Sequence, residues 1–170
     1  MQPGTARHGR GVLQSEVGLL LRRDVTLRPL LIGEMPQVRA LLTSASLPVD
    51  DLDEASIHFI VAGEGDEAIG AIGLESFGSV GLLRSMVVRP DARGSGIGGQ
   101  LVEALERHAR EIGMDQLVLL TQTAEPFFAT RGYAVIAREA APAAVRRSAE
   151  FRSICPASAI CMTRQLRAMP

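Results

Sequence analysis

The run Arg84-Ser-Met-Val-Val-Arg-Pro-Asp-Ala-Arg93-Gly94-Ser95-Gly96-Ile97-Gly98-Gly99 puts four glycines between an apolar, strand-like segment and the helix-like Gln100-Leu-Val-Glu-Ala-Leu-Glu. A glycine turn opening a helix points several backbone N–H groups one way, with the positive end of the helix behind them. That arrangement binds phosphate groups of a nucleotide-like ligand. The turn contains a literal G-x-G-x-x-G at Gly94, Gly96 and Gly99, which invites a dinucleotide reading. The context argues against it. Residues 89–93 separate the turn from its strand, and that strand belongs to an antiparallel meander. No acidic residue closes the next strand at 117–121, where a ribose contact belongs. A Walker-type loop is excluded because it needs a lysine and the chain has none. A turn that only connects strand to helix needs one or two glycines, not four.

The rest of the chain sets the frame for that turn. Its 170 residues suit one domain with a proper core, and 46% hydrophobic with 22% charged residues is ordinary globular composition. A net charge of −1 provides no global basic field for nucleic acid. All 18 cationic residues are arginine, so no mechanism needing a lysine side chain can run here. The two cysteines, Cys155 and Cys161, do not make a disulfide framework and read as free thiols of a cytoplasmic protein. No apolar run approaches a membrane span, and the first residues lack the apolar core of a secretory signal.

Residues 1–23 read as an N-terminal extension, with the domain over 24–170. A strand is expected at 25–28, closed by Pro29, then a helix over 34–44 with Val38, Leu41 and Leu42 on one face. Asp50-Asp51-Leu52-Asp53-Glu54 reads as a solvated acidic link. Strand-like runs at 59–62, 68–74 and 80–88, joined by short turn signals, form an antiparallel meander. After the glycine turn, Leu101, Leu105, His108 and Ile112 make one stripe of an amphipathic helix. Glu103–Arg107 and Glu106–Arg110 fall on its exposed side, and Gly113 closes it in the left-handed region. A buried strand at 117–121, a short helix at 125–130, a strand at 132–136, a brief helix at 142–149 and a last strand at 159–166 complete the chain.

Val87-Val88-x-Pro90-x-x-Arg93-Gly94-x-Gly96-x-Gly98-x-x-Leu101 resembles the signature of the GNAT superfamily of acetyl-CoA-dependent N-acetyltransferases, and the order of elements from 25 to 166 fits as well. Several short segments narrow the resemblance: Ala71-Ile-Gly-Leu-Glu75, Leu83-Arg-Ser85, Leu119-Leu-Thr121, Phe127-Phe128-x-x-x-Gly132-Tyr133, Glu150-Phe151 and Cys155-Pro156-x-Ser158-Ala159-x-Cys161-Met162. Together they are similar to the acetyltransferase-like proteins of bacterial arsenic-resistance operons.

The resemblance implies a mixed α+β fold: a central, mostly antiparallel twisted sheet of six to seven strands, flanked by helices and splayed between strands 4 and 5. It implies that the amides of Arg93, Gly94, Ser95, Gly96, Ile97 and Gly98 bind the pyrophosphate of acetyl-CoA, with Arg93 adding a charged contact. Met86, Val87 and Val88 would pair their main chain with the pantetheine arm like an added strand. Glu75 is the candidate base for an amine attacking the thioester, against the reading of a solvated strand-end carboxylate. Arg84, charged within an apolar strand, needs a partner: Glu75 across the sheet or an anionic group on the substrate. Ser85, on the opposite face by alternation, reads as structural. Thr121 and Thr123 are candidates to orient the acetyl group. Where relatives carry a tyrosine as general acid this chain has Phe128, and Tyr133, its only tyrosine, is expected in the core.

The implied function is transfer of an acetyl group from acetyl-CoA to the amine of a small molecule, linked to arsenic resistance. An acyl-CoA-binding module with little catalysis and a nicotinamide-dependent oxidoreductase are the rivals. No metal is expected. A thiolate site for arsenic at the two cysteines is weaker than a core thiol plus a loop thiol. The histidines His8, His58 and His108 read as scattered and have no catalytic assignment. Peptide, nucleic-acid and membrane partners are not expected, and a homodimer is expected by analogy.

Overall fold

The computed structural model describes residues 23–167. Of the expected N-terminal extension only Arg23 falls inside that range; its guanidinium bridges Glu64 and Asp91, each at 3.1 Å. Seven strands form one sheet: β1 (Val25–Pro29), β2 (Ile57–Glu64), β3 (Glu67–Phe77), β4 (Val80–Val88), β5 (Gln116–Thr121), β6 (Ala134–Ile136) and β7 (Ile160–Gln165). Their order is β1-β2-β3-β4-β5-β7-β6, with every pairing antiparallel except β4 with β5. The helices are α1 (Met35–Ser44), α2 (Ile97–Glu111), α3 (Glu125–Ala129) and α4 (Ala143–Arg146). The mixed α+β architecture read from the sequence is the one observed.

The meander forms because tight turns join strands whose alternate residues are apolar. Gly65 and Gly78 sit at φ +59° and +69° in the two hairpin turns, a region that costs a glycine nothing. One sheet face takes α2, whose Ile97, Leu101, Val102, Leu105 and Ala109 pack on Ile60, Ile69, Ile72, Leu74 and Leu83. The opposite face takes α1 through Val38 and Leu42, which meet Phe59, Val61, Ala71 and Val87. Fully burying a leucine such as Leu101 or Leu105 contributes roughly 1.5–3 kcal/mol.

The helix stripe needs one correction. Ile112 is exposed, because α2 ends at Glu111 and the chain reverses at Gly113 (φ +89°). Met114 returns into the core in its place, its N–H bonded to the Ala109 carbonyl at 2.9 Å. Glu106 is also not on the exposed side. It is buried, and Arg164 donates to both its oxygens at 2.8 Å while the Tyr133 hydroxyl donates to Oε1 at 3.0 Å. A carboxylate this close to the core is tolerable only when paired. Arg110 makes the expected i,i+4 pair with Glu106 at 4.0 Å, the longest of these contacts. Tyr133 thus belongs to the core, as expected, and burial followed by the Glu106 charge pushes its phenol up.

His58 on β2 and His108 on α2 are not scattered: their rings stack with centroids 4.1 Å apart and planes at 15°. Burial, and then the nearby His108, lowers the His58 pKa. Its neutral form is therefore favoured in the fold. The unfolded chain takes up that proton first, near pH 6.5. Stability should be intact above that pH and decline as pH falls through it towards the lowered folded value. Denaturant titrations at pH 7.5 and 5.5 should show a lower midpoint at 5.5, and His58→Phe, which keeps a ring in the stack, should shrink the difference. A wild-type midpoint that does not fall would contradict this reading.

Candidate active site

β4 and β5 pair only where residues 80–82 meet 116–118. Beyond Leu82 the strands part, leaving the β5-facing main chain of β4 without a strand neighbour. The split between strands 4 and 5 is thus present at the expected place. β4 leads into it through a bulge: Gly73 faces Arg84 and Ala71 faces Val87, so Ser85 and Met86 together oppose Ile72. Ser85 sits at φ +54°, a left-handed conformation uncommon outside glycine and often found at functional positions. The bulge also breaks alternation. Ser85 therefore does not lie opposite Arg84 as expected; its hydroxyl accepts from Arg84 Nε at 3.3 Å.

Past β4, a 3₁₀ turn at Pro90–Ala92 delivers the chain to the glycine turn, where Gly94 and Gly96 take φ +79° and +86°. The Ser95 hydroxyl donates to the Ala92 carbonyl at 2.6 Å and tightens the turn. Gln100 N–H is the first from this segment to enter the helix ladder, bonding to Gly96 O at 3.1 Å. Among the described residues, the amides of residues 94–99 donate to no protein acceptor. They open at the start of α2, where the helix dipole adds positive potential. The glycines divide the labour. A Cβ at Gly94 or Gly96 would meet nothing within 4 Å, whereas one at Gly98 would lie 3.2 Å from Met86 and one at Gly99 2.6 Å from Arg131. The first pair sets the turn's conformation and leaves its surface open; the second makes room for neighbouring side chains.

Arg84 finds the partner its burial demands, and more. Its side chain is fully buried, and Nη1 and Nη2 each donate to Asp51 at 2.6 Å in a bidentate pair. Nη1 also donates to Glu75 at 3.1 Å, and Glu150 lies 3.3 Å from Nη2. Burial alone would lower the Arg84 pKa; Asp51, Glu150 and Glu75 outweigh it and hold the guanidinium firmly charged. Asp51 therefore does not belong to a solvated link. Leu52, 5% exposed, anchors that segment in the α1-side core and turns the neighbouring carboxylate inwards. Nothing in a run of acidic residues signals this, and Glu150 had entered only as part of a resemblance. β3 runs on to Phe77, so Glu75 lies within the strand rather than at its end. Its Oε2 faces Arg84, while Oε1 has no hydrogen-bond partner among the described residues and is not sealed from solvent.

The remaining candidates are dispersed. The Thr121 hydroxyl accepts from Ala124 N–H at 3.0 Å, which fixes the turn into α3, and Thr123 is exposed. Phe128 is 4% exposed and meets Tyr133 edge-on with centroids 5.3 Å apart. Cys161 is buried in β7, and Cys155 donates to Glu150 at 2.9 Å. Burial, aided by Glu150 at Cys155, pushes the two thiols up to about 11 and about 12 respectively. Neither is poised as a thiolate ligand. No cluster of three or more His, Cys, Asp or Glu able to hold a metal ion occurs among the described residues, and no helix there is long and apolar enough to cross a membrane.

The model of the acetyltransferase (GNAT) family matches residues 27–133, more than half of the chain. The chain belongs to the GNAT acetyltransferase family. Among curated proteins it is 32% identical over 92 residues to the uncharacterized N-acetyltransferase YjcF of Bacillus subtilis, covering 54% of this chain and 65% of that one. It is 36% identical over 77 residues to an IAA acetyltransferase of Azospirillum brasilense, covering 44% and 50%. The GNAT chain thus spans less than two thirds of either relative. Among solved structures, the N-acetylglutamate synthase of Neisseria gonorrhoeae, complexed with coenzyme A and N-acetyl-glutamate, shares the fold (TM-score 0.73, 21% identity, 86% of this chain and 36% of that one). Rv2747 of Mycobacterium tuberculosis, in complex with CoA and NLQ, matches with TM-score 0.68 and 25% identity over 82% and 98% of the two chains. GNAT neighbours of this chain therefore bind CoA.

The Arg84 cluster carries one positive charge against three carboxylates, which orders its variants. Arg84→Met leaves the buried Asp51 and Glu150 and the half-buried Glu75 uncompensated and should cost about 3–5 kcal/mol. Asp51→Asn relieves one surplus negative charge and should cost less. Chemical denaturation of both variants tests the order; Asp51→Asn losing as much as Arg84→Met would contradict it.

Proposed function

We propose that this protein transfers the acetyl group of acetyl-CoA to the amine of a small molecule. The observation that carries the reading is the row of amides at 94–99, which donate to no protein acceptor among the described residues, beside a strand that parts from its neighbour after three pairs. In this reading the amides hold the CoA diphosphate, and 86–88 pair with the pantetheine arm. The amine nitrogen attacks the thioester carbonyl, a C–N bond forms, and the tetrahedral oxyanion collapses with loss of the CoA thiolate. Glu75, through its open Oε1, takes the proton from the ammonium. Phe128 has no proton to give, so water protonates the thiolate. A groove of about 590 Å³ between Leu47, Pro48, Val49 and Asp50 on one side and Ser153 and Ile154 on the other is the proposed approach for the acceptor. It opens between the two segments that bring Asp51 and Glu150 to Arg84.

The link to arsenic resistance rests on the short-segment resemblance, with the arsenic-bearing group on the acceptor rather than on the protein's thiols. One observation favours a second reading, an acyl-CoA-binding module with little turnover: the buried phenylalanine at position 128. An acceptor screen monitoring release of free CoA thiol separates the two, with aminated organoarsenicals, amino acids and aminoglycosides as acceptors. Turnover with at least one amine is expected. Glu75→Gln should abolish it while leaving the dissociation constant for acetyl-CoA within about twofold. Undiminished turnover in Glu75→Gln would remove Glu75 as the base, and no turnover with any amine would favour the binding module. Acetyl-CoA at 100 times its Kd should stabilise the protein by about 2.7 kcal/mol, and NAD should not.

A further inference from the structure

Cationic charge favours a diphosphate as much as amides do, and Arg93, the residue expected to supply it, commits its Nε to the main chain. Arg93 is exposed and turns back, its Nε donating to the Val88 carbonyl at 2.9 Å. Another arginine stands at the helix start. Arg131, two residues beyond α3, lays its guanidinium on the Phe127 ring, with Cζ 3.8 Å from the centroid. Its Nη1 donates to the Phe127 carbonyl at 3.0 Å and to the Thr130 hydroxyl at 3.4 Å. Its Nη2 lies where a Cβ on Gly99 would be only 2.6 Å away, so the guanidinium rests against the third residue of α2. The Phe127 ring likewise lies against Gly98, 3.5 Å from the position of a Cβ there.

This placement is electrostatically uphill. A helix N-terminus carries partial positive charge, and a guanidinium beside it is repelled unless an anion joins them. Among the described residues no carboxylate pairs with Arg131, as none pairs with the exposed Arg93. The stack on Phe127 and the two bonds from Nη1 hold the cation in place, and neither Nη2 nor Nε has a protein acceptor. We infer that Arg131 is a phosphate-contacting residue of the coenzyme site, donating from Nη2 and Nε to a ligand phosphate beside the start of α2. The inference rests on the proposed CoA reading. It adds a specific cation to it, delivered from the far side of the cleft by the segment after α3. The phosphate is either the diphosphate or the 3′-phosphate of the ribose.

Calorimetric titration of CoA and of 3′-dephospho-CoA into the full chain tests it, for wild type, Arg131→Gln and Arg131→Lys. Arg131→Gln should weaken CoA about tenfold to a hundredfold, the range of a charge-assisted contact, and should flatten the salt dependence of Kd. Arg131→Lys, which keeps the charge but loses the planar stack, should fall between. Equal weakening for both ligands assigns the diphosphate; weakening for CoA alone assigns the 3′-phosphate. Wild-type affinity and salt dependence in Arg131→Gln would overturn the inference while leaving the coenzyme reading intact. A wild-type protein that binds neither ligand would instead overturn the coenzyme reading, and the inference with it. If Arg131→Gln unfolds, Arg131→Lys carries the test alone through the same two readouts.

Discussion

A strand inside a sheet uses its N–H and C=O groups on two neighbours, and a peptide group left unpaired away from water is costly. β4 meets this rule on its β3 side on both flanks of the bulge, at 80–84 and 87–88, but on its β5 side only at 80–82. The parting of these strands leaves main-chain polar groups facing a cleft, and the glycine turn at the mouth of that cleft leaves another row. Apart from the Val88 carbonyl, which accepts from Arg93, neither row is paired by the described residues. The surrounding structure keeps the strands from closing.

Three segments hold the bulged strand in place. Arg84 ties β4 to the loop after α1 through Asp51, to β3 through Glu75 and to the turn at Glu150–Ile154 through Glu150. On the other side of the sheet, α2 packs its apolar face on β2, β3 and β4, and Glu106 links it to β7 through Arg164. Ser85, in its left-handed conformation, lies between these two anchorages. The cluster thus fixes where β4 bends, and α2 fixes where the turn points.

The glycines, the meander and the buried strand were legible in the sequence because each is a local signal: turn residues at short spacing, or apolar alternation. The split between β4 and β5 came through resemblance, not from any single segment, and no segment signals that β7 lies between β5 and β6. What stayed hidden were charges that only tertiary packing turns inwards. Asp51 sits among three other acidic residues and gives no sign that Leu52 will pull its segment into the core. Glu106 keeps its i,i+4 pair with Arg110 at 4.0 Å, and only the approach of β7 shows that Arg164 binds it more closely and that it is buried. The stacking of His58 on His108 joins residues 50 positions apart and could not be read from their spacing. Arg131 precedes Gly132 in a segment marked by its aromatic residues, and nothing in its spacing shows that it will lie against the start of α2.

The amides of residues 94–98 are the most direct witness. In a ¹⁵N-labelled sample, adding acetyl-CoA should move the resonances of Gly94, Ser95, Gly96, Ile97 and Gly98 downfield, as expected for N–H groups that gain a charged acceptor, with the amides of 86–88 shifting alongside. Saturating acetyl-CoA that leaves those resonances in place while amides elsewhere move would contradict the account.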